Sequence, residues 1–395
     1  MNSLLNTVIL ACHYIRHNKG KSAILLICLS TAMALPLTVH RLVAILETSM
    51  LQRANDTPIV IGPQGSRFDL VLHALYFHTQ APGTITQHEV HSLKEKGHAL
   101  PIPLYARYTA QGFPVVGTTI DYFSFRNLSV QEGHMLTHIG DCVLGAEVAT
   151  TLGLQPGDRL FSDPDNVFDL GGAYPLNMRV TGVLARNHSA DDQAVFVDLK
   201  TAWIIDGIGH GHMDLTEGAD TDWILEESDD LIIASPQLEM YTTITPGNMH
   251  TFHFHGDPGD YPLSAIIALP HNERAGTLLM GQYVDDRLTT QALRPSNIVT
   301  ELLDMIVQLR RFFDIQYSIL LSVAALFIIL ITCMSVRLRR VEISTMHHIG
   351  CSRNMMFHLL AAELFILLCM SFVMALLATH FAVRLMTNWI PIFIS

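Results

Sequence analysis

Histidine is the residue whose spacing in this chain could do chemistry. Among its 21 histidines are two H-x-H pairs, His210 and His212 in "GHGHMD" and His253 and His255 in "MHTFHFHGDPGD". Residues i and i+2 of an extended strand point to one side. Each pair can therefore offer two imidazoles to a single ion, and Asp257 or His250 is within reach of a folded-over turn after or before the second pair. Imidazole and carboxylate donors suit zinc. A lone histidine is ordinarily a solvated or hydrogen-bonded side chain, and only the pairing singles these out. A His-rich loop could equally contact a His-rich periplasmic partner that itself carries the metal. His88 with His91, and His73 with His78, are further pairs of wider spacing.

Other motifs fall short of their chemistry. "HNKGKS" ends like a phosphate-binding loop in Gly20-Lys21-Ser22, but Ile15 stands where the first glycine belongs and a helical pattern precedes it. The chain is therefore expected to carry no nucleotide site of its own. "QHEVHS" holds His88, Glu89 and His91 but lacks the H-E-x-x-H spacing of a zinc-protease helix. No G-x-S-x-G nucleophile elbow occurs. With a net charge of -12 the chain lacks the basic footprint of a nucleic-acid binder. The expectation is a non-catalytic chain with no cofactor of its own, unless the histidines hold zinc.

The elements that must position the histidines follow from hydropathy. The 395 residues are 49% hydrophobic, with a mean hydropathy of +0.31, which places part of the chain in lipid. Three nearly charge-free runs, Ser22 to Val39, Ile315 to Val336 and Leu364 to Val383, approach or exceed the ~20 helical residues that cross a bilayer core. Arg16, Lys19 and Lys21 precede the first run, and Arg337, Arg339, Arg340 and Arg353 follow the second. Basic flanks stay in the cytoplasm, so residues from about 48 to 314 lie outside. Arg41, Arg53, Arg310 and Arg311 run against this asymmetry. Leu4, Leu5, Val8, Ile9, Cys12 and Ile15 recur at helical spacing, as in an amphipathic helix on the inner membrane surface. Ala32-Met33-Ala34 after the first apolar stretch admits a cleaved signal peptide as the rival reading. Of six cysteines, only Cys142 lies in the large middle region, which excludes an internal disulfide framework there.

That region reads as mixed α/β and is large enough for two subdomains. "FPVVGTTI" is a strand, "CVLGAEVATTLGLQPGDRL" a strand, short helix, glycine-bounded turn and strand, and "NMRVTGVLA" another strand. "QAVFVDLKTAWII" adds a strand and a helix, and "PLSAIIAL" a late strand. Ile298, Leu302, Met305, Ile306 and Leu309 share one face of a helix entering the second run.

Taken in order, "VVGTTIDYFSF", "EGHML", "CVLGAEVATTLGLQPGDRL" and "VTGVLARNHSADDQAVFVDLKTAW" resemble the periplasmic core of the FtsX/MacB-type permeases, the membrane subunits of type VII ABC transporters. "VRLRRVEISTMHHIGCSRNMMFHLLAAE" resembles that family's basic loop, coupling helix and glutamate-bearing start of the next span. The fold class expected is a membrane protein with three helical transmembrane spans and a large extracytoplasmic mixed α/β domain of two subdomains. Residues 1–21 are the cytoplasmic amphipathic helix, 22–47 the first span, 48–296 the core domain and 297–336 a stalk with the second span. Residues 337–357 form the coupling loop, 358–384 the third span and 385–395 a short periplasmic tail. The family usually has a fourth span, which this chain lacks.

In the loop, Ile343, Met346 and Ile349 make a short apolar ridge after Arg339, Arg340 and Glu342, and Gly350 is placed to stop the helix. Such a ridge fits a groove on a cytoplasmic partner, which the resemblance makes a separate ABC ATPase; a plain topology anchor is the rival reading. Glu363 is read as structural. The resemblance further implies a bacterial inner-membrane location, a homodimer or heterodimer of permeases, a periplasmic or outer-membrane partner, and mechanotransmission. The histidines point to metal acquisition. Lipoprotein or peptide export, or a non-transporting regulator of a periplasmic partner, is the alternative.

Overall fold

The computed structural model describes residues 2–77, 82–164, 175–211, 224–228, 231–234, 241–285, 289–338, 344–345, 348, 350 and 352–387. They form two compact units, Met1–Ser49 with Leu303–Ile390, and a second built on Met50–Leu302.

The first unit is helical. Helix Asn2–His17 precedes helix Lys19–Asn55, which carries Pro36 inside it and whose last turn belongs to the other unit. Helices Pro295–Leu338 and Arg353–Thr387 complete the set. Among the described residues two helices are long and apolar enough to cross a membrane, Ser22–Asn55 and Phe357–Met386. The remaining apolar run, Ile315 to Val336, lies within helix Pro295–Leu338. Small residues let helices approach closely in an apolar medium. Ser371, Ala375 and Thr379, all buried at i, i+4 and i+8, form such a stripe. Along it Ser371 Oγ donates to the Leu26 carbonyl at 3.5 Å and Thr379 Oγ1 to the Ala34 carbonyl at 3.3 Å.

The second unit is organised by one mixed sheet of 11 strands. Nine of them lie in the order Thr290–Leu293, Ile59–Pro63, Ala265–Pro270, Ala99–Tyr105, Phe113–Thr118, Val195–Asp198, Asp141–Leu144, Asn177–Leu184, Val130–Gly133. Each expected strand and short helix of this region is present. The two halves of this region share that sheet. The antiparallel pairs Leu104↔Thr118 and Tyr105↔Gly117, and the parallel pairing of Val195–Asp198 with Phe113–Thr118, stitch both halves into one sheet. Gly117 lets helix Leu199–Ile205 approach the sheet at this point, because a Cβ there would meet the Ala202 Cβ at 2.5 Å. Cys142 is buried in the sheet, and burial pushes its thiol up, so it is an inert core residue.

Helix Pro295–Leu338 buries Ile298, Val299 and Leu303, with Leu302 half-buried, a wider face than the expected stripe; the side chains of Met305, Ile306 and Leu309 lie outside the described set. Helix Leu199–Ile205 lies on the sheet. Its N-cap Asp198 accepts from the Lys200 N–H at 2.9 Å, a satisfied helix start.

Candidate metal centre

The histidines are placed by a two-stranded ribbon, Gly209–Gly211 antiparallel to Phe252–Phe254. Its first strand leaves helix Leu199–Ile205 through Gly207, whose φ of +82° needs a residue without a side chain. Two bonds hold that exit: the Ile208 N–H donates to the Trp203 carbonyl, and Trp203 Nε1 donates to the Pro262 carbonyl, each at 2.9 Å. Trp203 also packs edge-on against Tyr261, ring centroids 4.9 Å apart. Asp206, which closes the helix, accepts from Tyr105 Oη at 2.8 Å and from Tyr108 Oη. The second strand follows the turn Met249–Thr251, organised by Asn248. Its amide donates to the Thr243 carbonyl at 2.9 Å, and its oxygen accepts from the Thr245 N–H at 2.7 Å.

Alternation along these strands sorts their side chains. Phe252 and Phe254 pack against the hydrophobic core, while His253 and His255 fall on the opposite face. Gly209 and Gly211 stand directly opposite the two phenylalanines in register, and a Cβ on either would lie 2.6 Å from the facing ring. Glycine is thus required on the core face, and His210 between them turns outward, in register with His253. The ladder continues past the strand, the His255 N–H donating to the Ile208 carbonyl at 3.1 Å.

Three imidazoles converge as a result. Ring centroids are 4.7 Å apart for His210 and His253, 4.8 Å for His210 and His255, and 4.9 Å for His253 and His255. One ligating nitrogen from each lies within 4.8 Å of the others. Near the cluster, His253 Nδ1 contacts the Thr251 carbonyl at 3.1 Å. A carbonyl can only accept, so that bond puts the proton on Nδ1, the tautomer in which Nε2 carries the lone pair.

His253 and His255 lie together, and of the other histidines singled out in the sequence His210 joins them. Asp257 is outside this group; its carboxylate accepts from the Gly259 N–H at 2.8 Å and caps the Pro258–Asp260 turn. His250 sits in the preceding turn, outside the cluster of three. His210, from a distant segment, completes the cluster, and His212 lies outside the described residues. His88 is in helix Gln87–Lys96 and faces Asp260 at 3.6 Å, both side chains exposed. Of the expected coupling residues, Arg339, Arg340, Glu342, Ile343, Met346 and Ile349 lie outside the described residues. Gly350 is described, in a turn with φ +98°.

A second site escaped sequence reasoning. Arg53, which ran against the charge asymmetry, is buried in the sheet unit rather than solvated at a membrane flank. Its guanidinium donates to both carboxylate oxygens of Asp191, at 2.8 and 2.9 Å, to Tyr122 Oη at 3.2 Å, and through Nε to the Leu75 carbonyl. Tyr122 donates to Asp191 Oδ1 at 2.6 Å. The aromatic rings of Phe77, Tyr122, Phe123 and Phe196 pack together around it. Burial pushes the Asp191 carboxyl up, but the Arg53 charge and the hydrogen bonds from Arg53 and Tyr122 outweigh it and hold the group at about 2. Gly145 lets the Asp191 turn approach, because a Cβ there would overlap the carbonyl oxygens of Asp191 and Asp192. The fork-on-carboxylate geometry ties the last turn of helix Lys19–Asn55 to the turn Ala190–Gln193.

Comparison with known proteins decides the family. Residues 52–231 match the MacB-like periplasmic core domain, and residues 316–395 match the FtsX-like permease C-terminal domain. The chain belongs to the FtsX/MacB-like permease family. It is an ABC-transporter permease subunit of the MacB/FtsX type, an inner-membrane protein with a periplasmic domain. Members of the family are typically non-catalytic and work with a partner ATPase. No curated protein matches the chain. Solved structures similar to it include the periplasmic region of MacB from Actinobacillus actinomycetemcomitans, 10% identical, covering 63% of this chain and 92% of that one, with a TM-score of 0.34. Another is the extracellular domain of the noncanonic ABC-type transporter YknZ from Gram-positive bacteria, 12% identical over 60% of this chain and 98% of that one, TM-score 0.31. His210 falls inside the core-domain match of this permease, whereas His253 and His255 lie beyond it.

Proposed function

We propose that this permease subunit has three spans and converts ATP hydrolysis by a separate ATPase into motion of its periplasmic domain, without passing cargo through its own membrane helices. The observation that carries the reading is the order of the two family matches, a periplasmic core followed by a permease C-terminal domain. Two physical features support it. The sequence spacing of Ile343, Met346 and Ile349, in the basic segment between two apolar runs, is that of a short apolar helix face and suits a groove on the ATPase. The Arg53–Asp191 pair ties the end of helix Lys19–Asn55 to the sheet, so a displacement of that helix end is delivered to the Ala190–Gln193 turn rather than lost in a loose joint. The permease works as a homodimer or heterodimer. Transition-metal handling, zinc above all, is the cargo class that the histidine cluster favours over lipoprotein or peptide export.

Met346→Asp/Ile349→Asp tests the coupling. The variant inserts in the membrane at the wild-type level but no longer retains the ATPase subunit on co-purification, because two buried-on-docking apolar contacts become charges. Full retention of the ATPase by the doubly substituted chain contradicts the reading.

A further inference from the structure

We propose that His210, His253 and His255 form a binding site for one divalent transition-metal ion, with these three imidazoles as its ligands among the described residues and a fourth position open to a further donor or to water. Two strands from distant segments meet in a register that sets His210 opposite His253. The i, i+2 spacing adds His255 on the same face. Glycines on the core face leave the phenylalanines room, so the histidine face is held by the packing of the other side.

Ligand chemistry narrows the ion. An all-imidazole donor set suits zinc, copper and nickel, whereas calcium and magnesium need oxygen ligands. In a tetrahedral zinc site, with metal–nitrogen bonds of about 2.0–2.1 Å, the ligating nitrogens stand about 3.3 Å apart. Nitrogens already within 4.8 Å reach that spacing by small side-chain rotations, without moving the ribbon. The Thr251 carbonyl contact orients the His253 ring and fixes which nitrogen faces the ion.

Structural zinc sites close all four positions with protein ligands; among the described residues this cluster supplies three, and the His255 side chain is exposed. Such a site loads and releases its ion from solvent, or shares it with a donor on another protein. That the ion is met in the periplasm rests on the permease reading; the site itself does not.

The test uses the full-length chain in detergent, stripped with chelator, titrated with Zn²⁺ against a chromophoric competitor and separately with Co²⁺ by visible absorption. The wild type binds one equivalent of Zn²⁺, and Co²⁺ gives the intense visible bands of a low-coordinate site. His255→Ala, which removes an exposed side chain and spares the fold, and His210→Ala each weaken Zn²⁺ binding about tenfold or more. His88→Ala/His91→Ala does not. Binding unchanged in both triad variants, or lowered as much by the control, overturns the proposal. The same triad variants retain the ATPase on co-purification, so loss of the metal site and loss of the coupling reading give different results.

Discussion

Asp191→Asn isolates what the buried ion pair contributes, since it keeps the shape of the side chain and removes only its charge. Two estimates bound the effect. A carboxyl held at about 2, against an ordinary 3.8, loses about 2 kcal/mol when its charge is taken away. Leaving the Arg53 guanidinium buried without its counter-ion raises the cost to about 3–5 kcal/mol, the range for breaking a buried pair by removing one partner. For a domain of this size each kcal/mol moves the melting temperature by about 2–4 °C, so a fall of about 6–20 °C is expected. The assay is thermal unfolding of the full-length chain in detergent, followed by tryptophan fluorescence; Trp203 is buried in the sheet unit. The double variant Arg53→Met/Asp191→Leu removes both charges and recovers at least half of the loss, since apolar groups of similar volume replace a buried pair at little cost. A single Asp191→Asn effect below about 1 kcal/mol, or strictly additive effects in the double-mutant cycle, refutes the reasoning.

Acid should weaken the same joint. The folded carboxyl of Asp191 is depressed, so its stabilisation is complete above the unfolded value of 3.8 and drains away as pH falls from about 4 toward about 2. Wild-type melting temperature measured over that window falls more steeply than that of the double variant lacking both charges. Gly145→Ala drives a methyl group against the carbonyls of Asp191 and Asp192 and costs about 1–3 kcal/mol in denaturant unfolding, with no change in metal binding. Gly211→Ala, by contrast, pushes the Phe252 ring from its place and lowers Zn²⁺ affinity while leaving the melting temperature within about 3 °C of wild type, because the ribbon lies outside the main sheet. Equal affinity in wild type and Gly211→Ala would show that the ribbon's register does not position the histidines.

Local pattern made much of this molecule legible before any tertiary structure. Long apolar runs, strand alternation and the glycine stop at Gly153 each depend on residues a few positions apart, and the described helices and strands of the sheet unit stand where those patterns put them. Even the histidine cluster left a local trace, since "GHG" and "FHF" are complementary: glycine on one strand makes room for phenylalanine on the other, and both leave histidine outward. What local pattern could not decide was which strands pair. His253 and His255 needed a third ligand, and the nearby Asp257 is spent on a turn while the distant His210 arrives by β-pairing. Arg53 read as a stray charge beside an apolar run because nothing within a helical turn explains it; its partner Asp191 is supplied by a turn on another element of the sheet unit. Short-range spacing alone determined the elements and the side chains able to act. Only long-range register and burial decided which of those side chains meet, because such contacts balance chain entropy against packing over the whole domain.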